Sequence, residues 1–464
     1  MESQLRRDAI EIFMAGVAAV EPGRAVRSHL KLEGEVLLAG EHRIPLQPDT
    51  RVFVVGAGKA GAPMAAAVEA VLGDRIHRGL VAVKYGHLSP VERIQVLEAA
   101  HPVPDEDGLE AAGRLADLLE DAGEGDLVIC LLSGGGSALI PSPVPPVTLH
   151  DKQEVTDLLL KSGAEIDEIN CVRKHLSLLK GGGLARAAYP ARVLTLILSD
   201  VVGDPLDVIA SGPTVGDPTT FNDALIILDR YNLFEKVPEA VRTRLTLGVE
   251  GKHLETPKPG DPELSDVINL LVGTNTIAVQ AAEDTARALG YHTIVLSSTV
   301  TGETRDAAAD HAAVAREIIE QDLPVARPAC VLSGGETTVT IKGKGMGGRN
   351  QEFALASSLG IEGLPGALIL SGGTDGTDGP TDAAGAVADG TTVERAQALN
   401  LDPMAFLDNN DSYTFFDKLG DLLITGPTLT NVMDLRVILV GPENPESTLR
   451  HSSGQGIKNP EDDL

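Results

Sequence analysis

The strongest constraint on this chain is a repeated pattern: an unbroken apolar run that ends in serine and glycine. Leu-Ser-Gly-Gly occurs three times, at 132–135, 332–335 and 370–373, each time directly after such a run. A fourth run ends in Ser199-Asp200. Short apolar runs without polar alternation suit strands of a parallel sheet covered on both faces. In an open parallel sheet the carboxyl ends of the strands line the ligand crevice. The glycine-rich ends therefore point to where the chemistry lies as well as to the fold.

Helical segments separate the runs. Strands over 52–55, 80–83, 126–132 and 193–198, with helices over 60–72 and 106–121, form a first βα series. The polar stretch 251–265, rich in Pro and Gly, reads as a linker. The series then resumes with strands over 267–272, 293–296, 329–332, 367–370 and 437–440. The expectation is an α/β protein of two domains, 1–250 and 266–443. Each would have a mainly parallel sheet flanked by helices, with a cleft between them lined by strand ends. Residues 444–464 read as a flexible acidic tail. A chain of 464 residues is too long for one ordinary core, and 43% apolar content excludes disorder as the main state.

Acidic residues number 67 against 38 basic ones, a formal charge of −29. Such a chain repels nucleic-acid backbones and anionic lipid surfaces, so neither is an expected partner. No apolar run reaches the ~18 residues of a membrane span, and positions 1–20 read as an amphipathic helix without a signal-peptide core. A cytoplasmic location follows as an expectation. Cys130, Cys171 and Cys330 form no disulfide framework and read as reduced, structural residues. The sequence is compatible with a homodimer and with a monomer.

Four segments carry candidate chemistry. Gly56-Ala57-Gly58-Lys59-Ala60-Gly61 matches G-x-G-x-x-G, yet the next strand ends Val83-Lys84-Tyr85 without the acid a dinucleotide ribose requires. An anion site on Gly56, Gly58 and Lys59 and a purely structural turn both stay open. Ser133, Gly134, Gly135, Gly136 and Ser137 form a candidate anion cradle, or else a plain loop; no G-x-S-x-G supports a nucleophilic serine. Arg173 and Lys174, followed by His175 and Lys180, are a basic cluster that either grips a substrate anion or lies on a solvated helix face. Asp200 and Asp204 follow a buried strand, where they could hold Mg²⁺, take a hydroxyl proton, or cap a turn.

The second half repeats the theme with Ser333, Gly334, Gly335 and Glu336. The stretch 343–348 holds four glycines between Lys342 and Arg349, and is expected to be mobile and anion-seeking. Asn350 would open the following helix. Asp375 and Asp378 sit in a loop where they could contact a metal or hydroxyl, or stabilise a turn.

Together, GAGKAG, AHPVPDEDG, LLSGGGSAL, VRKHLSLLKGGGLA, LSDVVGDPLDVIASGPT, LSGGETTV, GKGMGGRNQE and SGGTDGTDGPTDAAGA resemble the MOFRL-type (class II) glycerate 2-kinases, often labelled hydroxypyruvate reductases. The likeness runs from about Leu5 to Val440. It implies a Rossmann-like N-terminal domain and transfer of the γ-phosphoryl of ATP to D-glycerate, giving 2-phosphoglycerate and ADP with Mg²⁺ or another divalent cation. It places the functional lysine and arginine at Lys59 and Arg349. In this frame Asp200 joins them as a catalytic candidate, Asp200 and Asp204 are the metal candidates, and Ser133–Ser137, Arg173, Lys174, Ser333–Glu336, Asn350 and Asp375 bind substrate or phosphate. An NAD(P)H-dependent hydroxypyruvate reductase is the alternative.

Overall fold

A computed structural model describes residues 2–442. The expected tail at 444–464 lies outside the described residues. The chain divides into two compact units: Val17–Ala278 with Pro427–Met433, and Met1–Gly16 with Val279–Gly426 and Asp434–Leu464. They are called the first and second unit below.

The first unit is built on a six-stranded sheet, all parallel. Its order in space is Ile94–Ala99, Ile76–Lys84, Val52–Ala57, Leu127–Leu132, Arg192–Leu198 and Val267–Gly273. Side chains alternate between the faces of each strand. Val52 and Val54 face one core with helix Gly61–Leu72, while Phe53 and Val55 face another with helix Glu106–Glu120. That double burial explains the unbroken apolar runs. The chain starts in the middle of the sheet at Val52–Ala57, winds outward one way, then returns and winds the other way from Leu127–Leu132. The topological switch point lies between these two strands, where such sheets bind ligands.

Two expectations change here. Strand Val267–Gly273 pairs in parallel with Arg192–Leu198, so it belongs to the first unit and not to a domain beginning at 266. The stretch 251–265 is likewise bound into the first unit: Thr256 donates to Asp217 (3.0 Å), and Asp217 N–H donates to the Pro257 carbonyl (2.8 Å). A three-stranded antiparallel meander, Leu30–Glu33, Val36–Ala39 and His42–Pro45, precedes the main sheet.

The second unit has a mixed six-stranded sheet, ordered His292–Val300, Ala329–Gly335, Asp434–Val440, Ala367–Gly373, Gly385–Asp389 and Leu422–Leu423. Only the first pair is parallel. The α/β class holds, but the last long strand inserts antiparallel between two strands that read as parallel neighbours. Its register explains two of the three sequence repeats. Ser333 and Ser371 both face Arg436, and Gly335 and Gly373 both face Asp434.

Candidate active site

The switch point of the first unit is formed by the turn after Val52–Ala57 and the loop after Leu127–Leu132. These two interlock. Lys59 N–H donates to the Gly134 carbonyl (2.9 Å), Ser133 N–H to the Ala57 carbonyl (3.2 Å) and Ala60 N–H to Ser133 Oγ (3.0 Å). Gly58 has φ +150°, and a Cβ there would lie 2.0 Å from Ser133 Oγ. A Cβ on Gly136 would lie 2.7 Å from the Ala57 carbonyl. These glycines let two loops pass at backbone contact.

Beside this junction two cations converge on one serine, with a third close by. Ser137 Oγ accepts from Arg173 Nη2 (2.7 Å) and Lys180 Nζ (2.9 Å), and lies 2.9 Å from Ser211 Oγ. Lys180 also donates to the Ser137 carbonyl (2.6 Å), and buried Lys152 donates to the Pro141 carbonyl (2.5 Å). Asn170, one helical turn before Arg173 on the same face, accepts from Arg173 (3.4 Å) and Ser211 (3.2 Å). Among the described residues no carboxylate balances these charges. Burial first, and then Arg173, pushes the Lys152 and Lys180 ammonium groups well below the ordinary lysine value, and burial lowers Arg173 too. Buried cations without a counter-ion cost several kcal/mol, of order 3–5 when a partner charge is missing. An arriving anion relieves that cost. The N–H groups of Gly134, Gly135 and Ser137 make no bond to any described residue, and so remain available on the same loop.

The opposite wall is acid and imidazole. The Asp200 carboxylate packs on Gly134, whose added Cβ would lie 2.1 Å from Asp200 Oδ2. Burial raises the Asp200 pKa, and the Lys59 charge pulls it down. His101 lies against Gly135, 2.9 Å from an added Cβ. Burial, then Lys59, Lys84 and His87, lower the His101 pKa to about 4, so its imidazole is neutral at physiological pH. His87 Nδ1 lies 3.1 Å from the Lys59 carbonyl. Asp204 adopts φ 54° and keeps Oδ1 buried without a hydrogen-bond partner.

In the second unit, Arg349 begins helix Arg349–Gly360 and meets two acids. Its Nε and Nη2 reach Asp434 (2.8 and 3.0 Å), and its Nη1 reaches Glu336 (2.7 Å). Burial lowers the Arg349 pKa less than Asp434 and Glu336 raise it, so the guanidinium stays charged. Asp378 accepts from the N–H groups of Asn350 (3.1 Å) and Gln351 (2.8 Å); its burial raises the pKa to about 7.

Residues 8–246 match the family model described as "Domain of unknown function (DUF4147)", and residues 329–434 match the MOFRL family. A D-glycerate 2-kinase of Thermotoga maritima is 43% identical over 437 residues, 94% of this chain and 98% of that protein. A protein of Agrobacterium vitis, provisionally named a hydroxypyruvate reductase, is 46% identical over 432 residues, 93% of each. The crystal structure of a glycerate kinase from Thermotoga maritima superimposes with a TM-score of 0.85 at 42% identity, covering 94% of this chain and 100% of that one. The chain belongs to the glycerate kinase family.

In this family member the structure brings together Lys59, Gly134, Gly135, Ser137, Arg173 and Asp200 from the residues marked in the sequence. Others take different work. Gly56 and Gly58 serve close backbone approach, and the Gly58 N–H is bound to the Ala82 carbonyl (3.1 Å), so the G-x-G-x-x-G turn is no open anion cradle. Ser133 is buried and accepts from Ala60, while Gly136 packs on Ala57. Lys174 points away from Arg173 and lies between Asp217 (3.4 Å) and Asp207 (3.6 Å). Adjacent helical residues diverge by about 100°, so both could not serve one site.

Ser333 and Gly335 are strand residues paired on both sides, Gly334 is paired on one, and Ser333 Oγ is 2.8 Å from His311 Nε2. Glu336 pairs with Arg349 instead of facing an anion. Asn350 is buried between Asp434 (2.8 Å) and Ser371 (2.6 Å). Asp375 closes its own turn by accepting from Thr377 N–H (3.0 Å). The glycine-rich stretch 343–348 is tied down, with Gly343 and Met346 N–H groups donating to Asn410 (2.9 Å) and Asp411 (3.0 Å). Its glycines admit residues 409–412 at close range. Among the described residues no group of three or more His, Cys, Asp or Glu is placed to hold a metal, and no helix is long and apolar enough to cross a membrane.

His101, Lys152, Asn170, Ser211, Asp434 and Arg436 were not singled out in the sequence. His101 lies within AHPVPDEDG, and Ser211 follows Ala210, both with positive φ (51° and 63°). Such backbone outliers cost about 1–3 kcal/mol and gather at functional sites.

Proposed function

We propose that this protein is an ATP-dependent kinase that phosphorylates D-glycerate, giving 2-phosphoglycerate and ADP. The observation that carries this reading is the uncompensated cation cluster at Ser137, at the switch point of a parallel sheet, in a chain of net charge −29. Both substrates are anions, and phosphoryl transfer depends on positioning and charge neutralisation more than on covalent chemistry. The relatives named as glycerate kinases supply the substrate.

The residues take defined roles. The free N–H groups of Gly134, Gly135 and Ser137 receive phosphate oxygens, and Lys180 and Lys152 offset their charge. Arg173 presents its guanidinium fork to a substrate oxyanion. Lys59 stabilises charge on the transferring phosphoryl, a role the resemblance assigns to Arg349 as well. Asp200, with its pKa raised by burial, accepts the proton of the substrate hydroxyl. Neutral His101 orients groups by hydrogen bonding without adding charge.

Mg²⁺ usually takes one or two carboxylates, with waters and substrate phosphates completing its shell. The orphaned Oδ1 of Asp204 fits that donor set and would hold the ion, leaving Asp200 to take the proton. Bound there, it would neutralise phosphate charge.

The reductase reading loses its support in the geometry. The turn that would hold a dinucleotide has its N–H groups bound to protein, and strand Ile76–Lys84 ends without an acid. The test follows ADP release from ATP and Mg²⁺ with and without D-glycerate, alongside NADH oxidation with hydroxypyruvate. D-glycerate-dependent ADP release supports the kinase. NADH consumption without ADP release overturns it.

A further inference from the structure

The second unit holds a buried charge arrangement that the family likeness does not mark. Asp434 is fully buried and Arg436 is 1% exposed, in a strand whose other residues are apolar. Asp434 Oδ2 accepts from Arg349 Nε (2.8 Å) and from Arg436 Nη2 (3.2 Å). Its Oδ1 accepts from Arg349 Nη2 (3.0 Å) and Asn350 Nδ2 (2.8 Å). One carboxylate is thus held between two guanidiniums.

Packing economy does not explain Arg436. Its Nε and Nη1 are buried without a hydrogen-bond partner, although Nη2 also reaches Thr337 Oγ1 (3.3 Å) and the guanidinium lies 4.8 Å from the Phe353 ring centroid. A buried, half-satisfied arginine is a poor stabiliser, and an apolar side chain of similar size often does as well or better. The surroundings are nevertheless built around it. The Leu-Ser-Gly-Gly segments at 332–335 and 370–373 flank this strand in matching register. They put a serine on each side of Arg436 and a glycine on each side of Asp434. Both glycines serve close backbone approach beside Asp434: a Cβ on Gly373 would lie 2.7 Å from the Thr377 carbonyl, and one on Gly335 2.3 Å from the Val300 carbonyl.

We propose that Arg436 is a positioning residue for Arg349, acting through Asp434. By drawing on the same carboxylate, Arg436 keeps Asp434 oriented toward Arg349 and keeps it from neutralising Arg349 fully. The guanidinium of Arg349, which also pairs with Glu336 (2.7 Å), is then fixed in direction, and the two acids on it are matched by a second cation. This rests on the reading that Arg349 stabilises the transferring phosphoryl.

Steady-state kinetics at saturating ATP and Mg²⁺ tests it with Arg436→Met, Arg436→Lys, Arg349→Ala and the double variant Arg349→Ala/Arg436→Met. The expected result is a fall in kcat of at least ~10-fold for Arg436→Met, with KM for D-glycerate within about 2-fold of wild type. Arg436→Lys should recover part of the loss, because an ammonium meets one oxygen of Asp434 but not as a fork. In the Arg349→Ala background, Arg436→Met should cost no further kcat, since the two act as one unit. Equal losses in both backgrounds, or wild-type kcat for Arg436→Met beside a crippled Arg349→Ala, would overturn the positioning role and leave the kinase reading standing. Wild-type kcat for Arg349→Ala would overturn the role of Arg349 itself, and the proposal with it. Should Arg436→Met not fold, Arg436→Lys alone and with Arg349→Ala carries the same comparison.

Discussion

At the scale of residues, the site trades stability for binding. Lys180 is a buried cation with no carboxylate near it among the described residues, so ligand-free protein bears its cost. Lys180→Met is expected to leave the melting temperature of ligand-free protein unchanged or higher, while raising KM for ATP or D-glycerate at least ~10-fold. Calorimetry and kinetics on one preparation check both halves, and a large loss of stability would contradict the account. Lys59→Ala and Arg349→Ala should each lower kcat at least ~10²-fold if they stabilise transition-state charge. Near-normal turnover in both would remove that assignment. Gly58→Ala, with a Cβ 2.0 Å from Ser133 Oγ, should reduce expression of soluble protein or lower its melting temperature sharply. The residue chemistry was partly legible in the sequence. Arg173 and Lys180 stood out as cations in an acidic chain. That Lys174 turns to Asp217 depends on helix phase, which spacing alone left open. By sequence the glycine turns are candidate donors of N–H groups, yet most serve close packing, because a glycine looks the same in either role. Arg436 and Asp434 were hidden because they lie inside a strand recognised by its apolar neighbours.

At the scale of elements, the loops after the strands hold the site, and helix Ile166–His175 anchors it from outside. Its two faces do different work: Asn170 and Arg173 face Ser211 and Ser137, while Lys174 and His175 face a structural ion network. Burial alone would lower the His175 pKa. Bonds to the Cys171 carbonyl and to Glu255 (3.2 Å), together with the Asp217 charge, outweigh it and raise the value to about 9. A group protonated more readily when folded stabilises fully below its unfolded pKa. The contribution, about 3 kcal/mol at most, is therefore present below pH ~6.5 and is lost as pH rises through about 9. Wild type should lose stability to denaturant across that window, and His175→Gln should show a lower, flatter profile there. Parallel profiles would contradict the network. The parallel sheet of the first unit was legible because double burial leaves its mark on every strand. The mixed sheet of the second was not, since the direction of Asp434–Val440 is set by the long irregular path that precedes it.

At the scale of the whole molecule, the charge of −29 separates general surface from site. Self-repulsion at that charge weakens the folded state and is screened by salt, with a Debye length of about 10 Å at 0.1 M. Melting temperature should therefore rise as NaCl is raised from low to moderate concentration. A fall would mean that ion pairs outweigh net repulsion. The division into two α/β units was legible from the restart of the βα pattern, but its boundary was not. The polar stretch 251–265 resembles a linker by composition, while its side chains are tied to Asp217, His175 and Thr219. The central claim is that this molecule moves a phosphoryl group from ATP to the 2-hydroxyl of D-glycerate. Phosphorus NMR of ATP, Mg²⁺ and D-glycerate with the purified protein tests it directly. The account predicts loss of the γ-phosphate signal, matched by ADP and a phosphomonoester coupled to the C2 proton. An unchanged ATP spectrum, or a phosphomonoester coupled to the C3 protons, would contradict it.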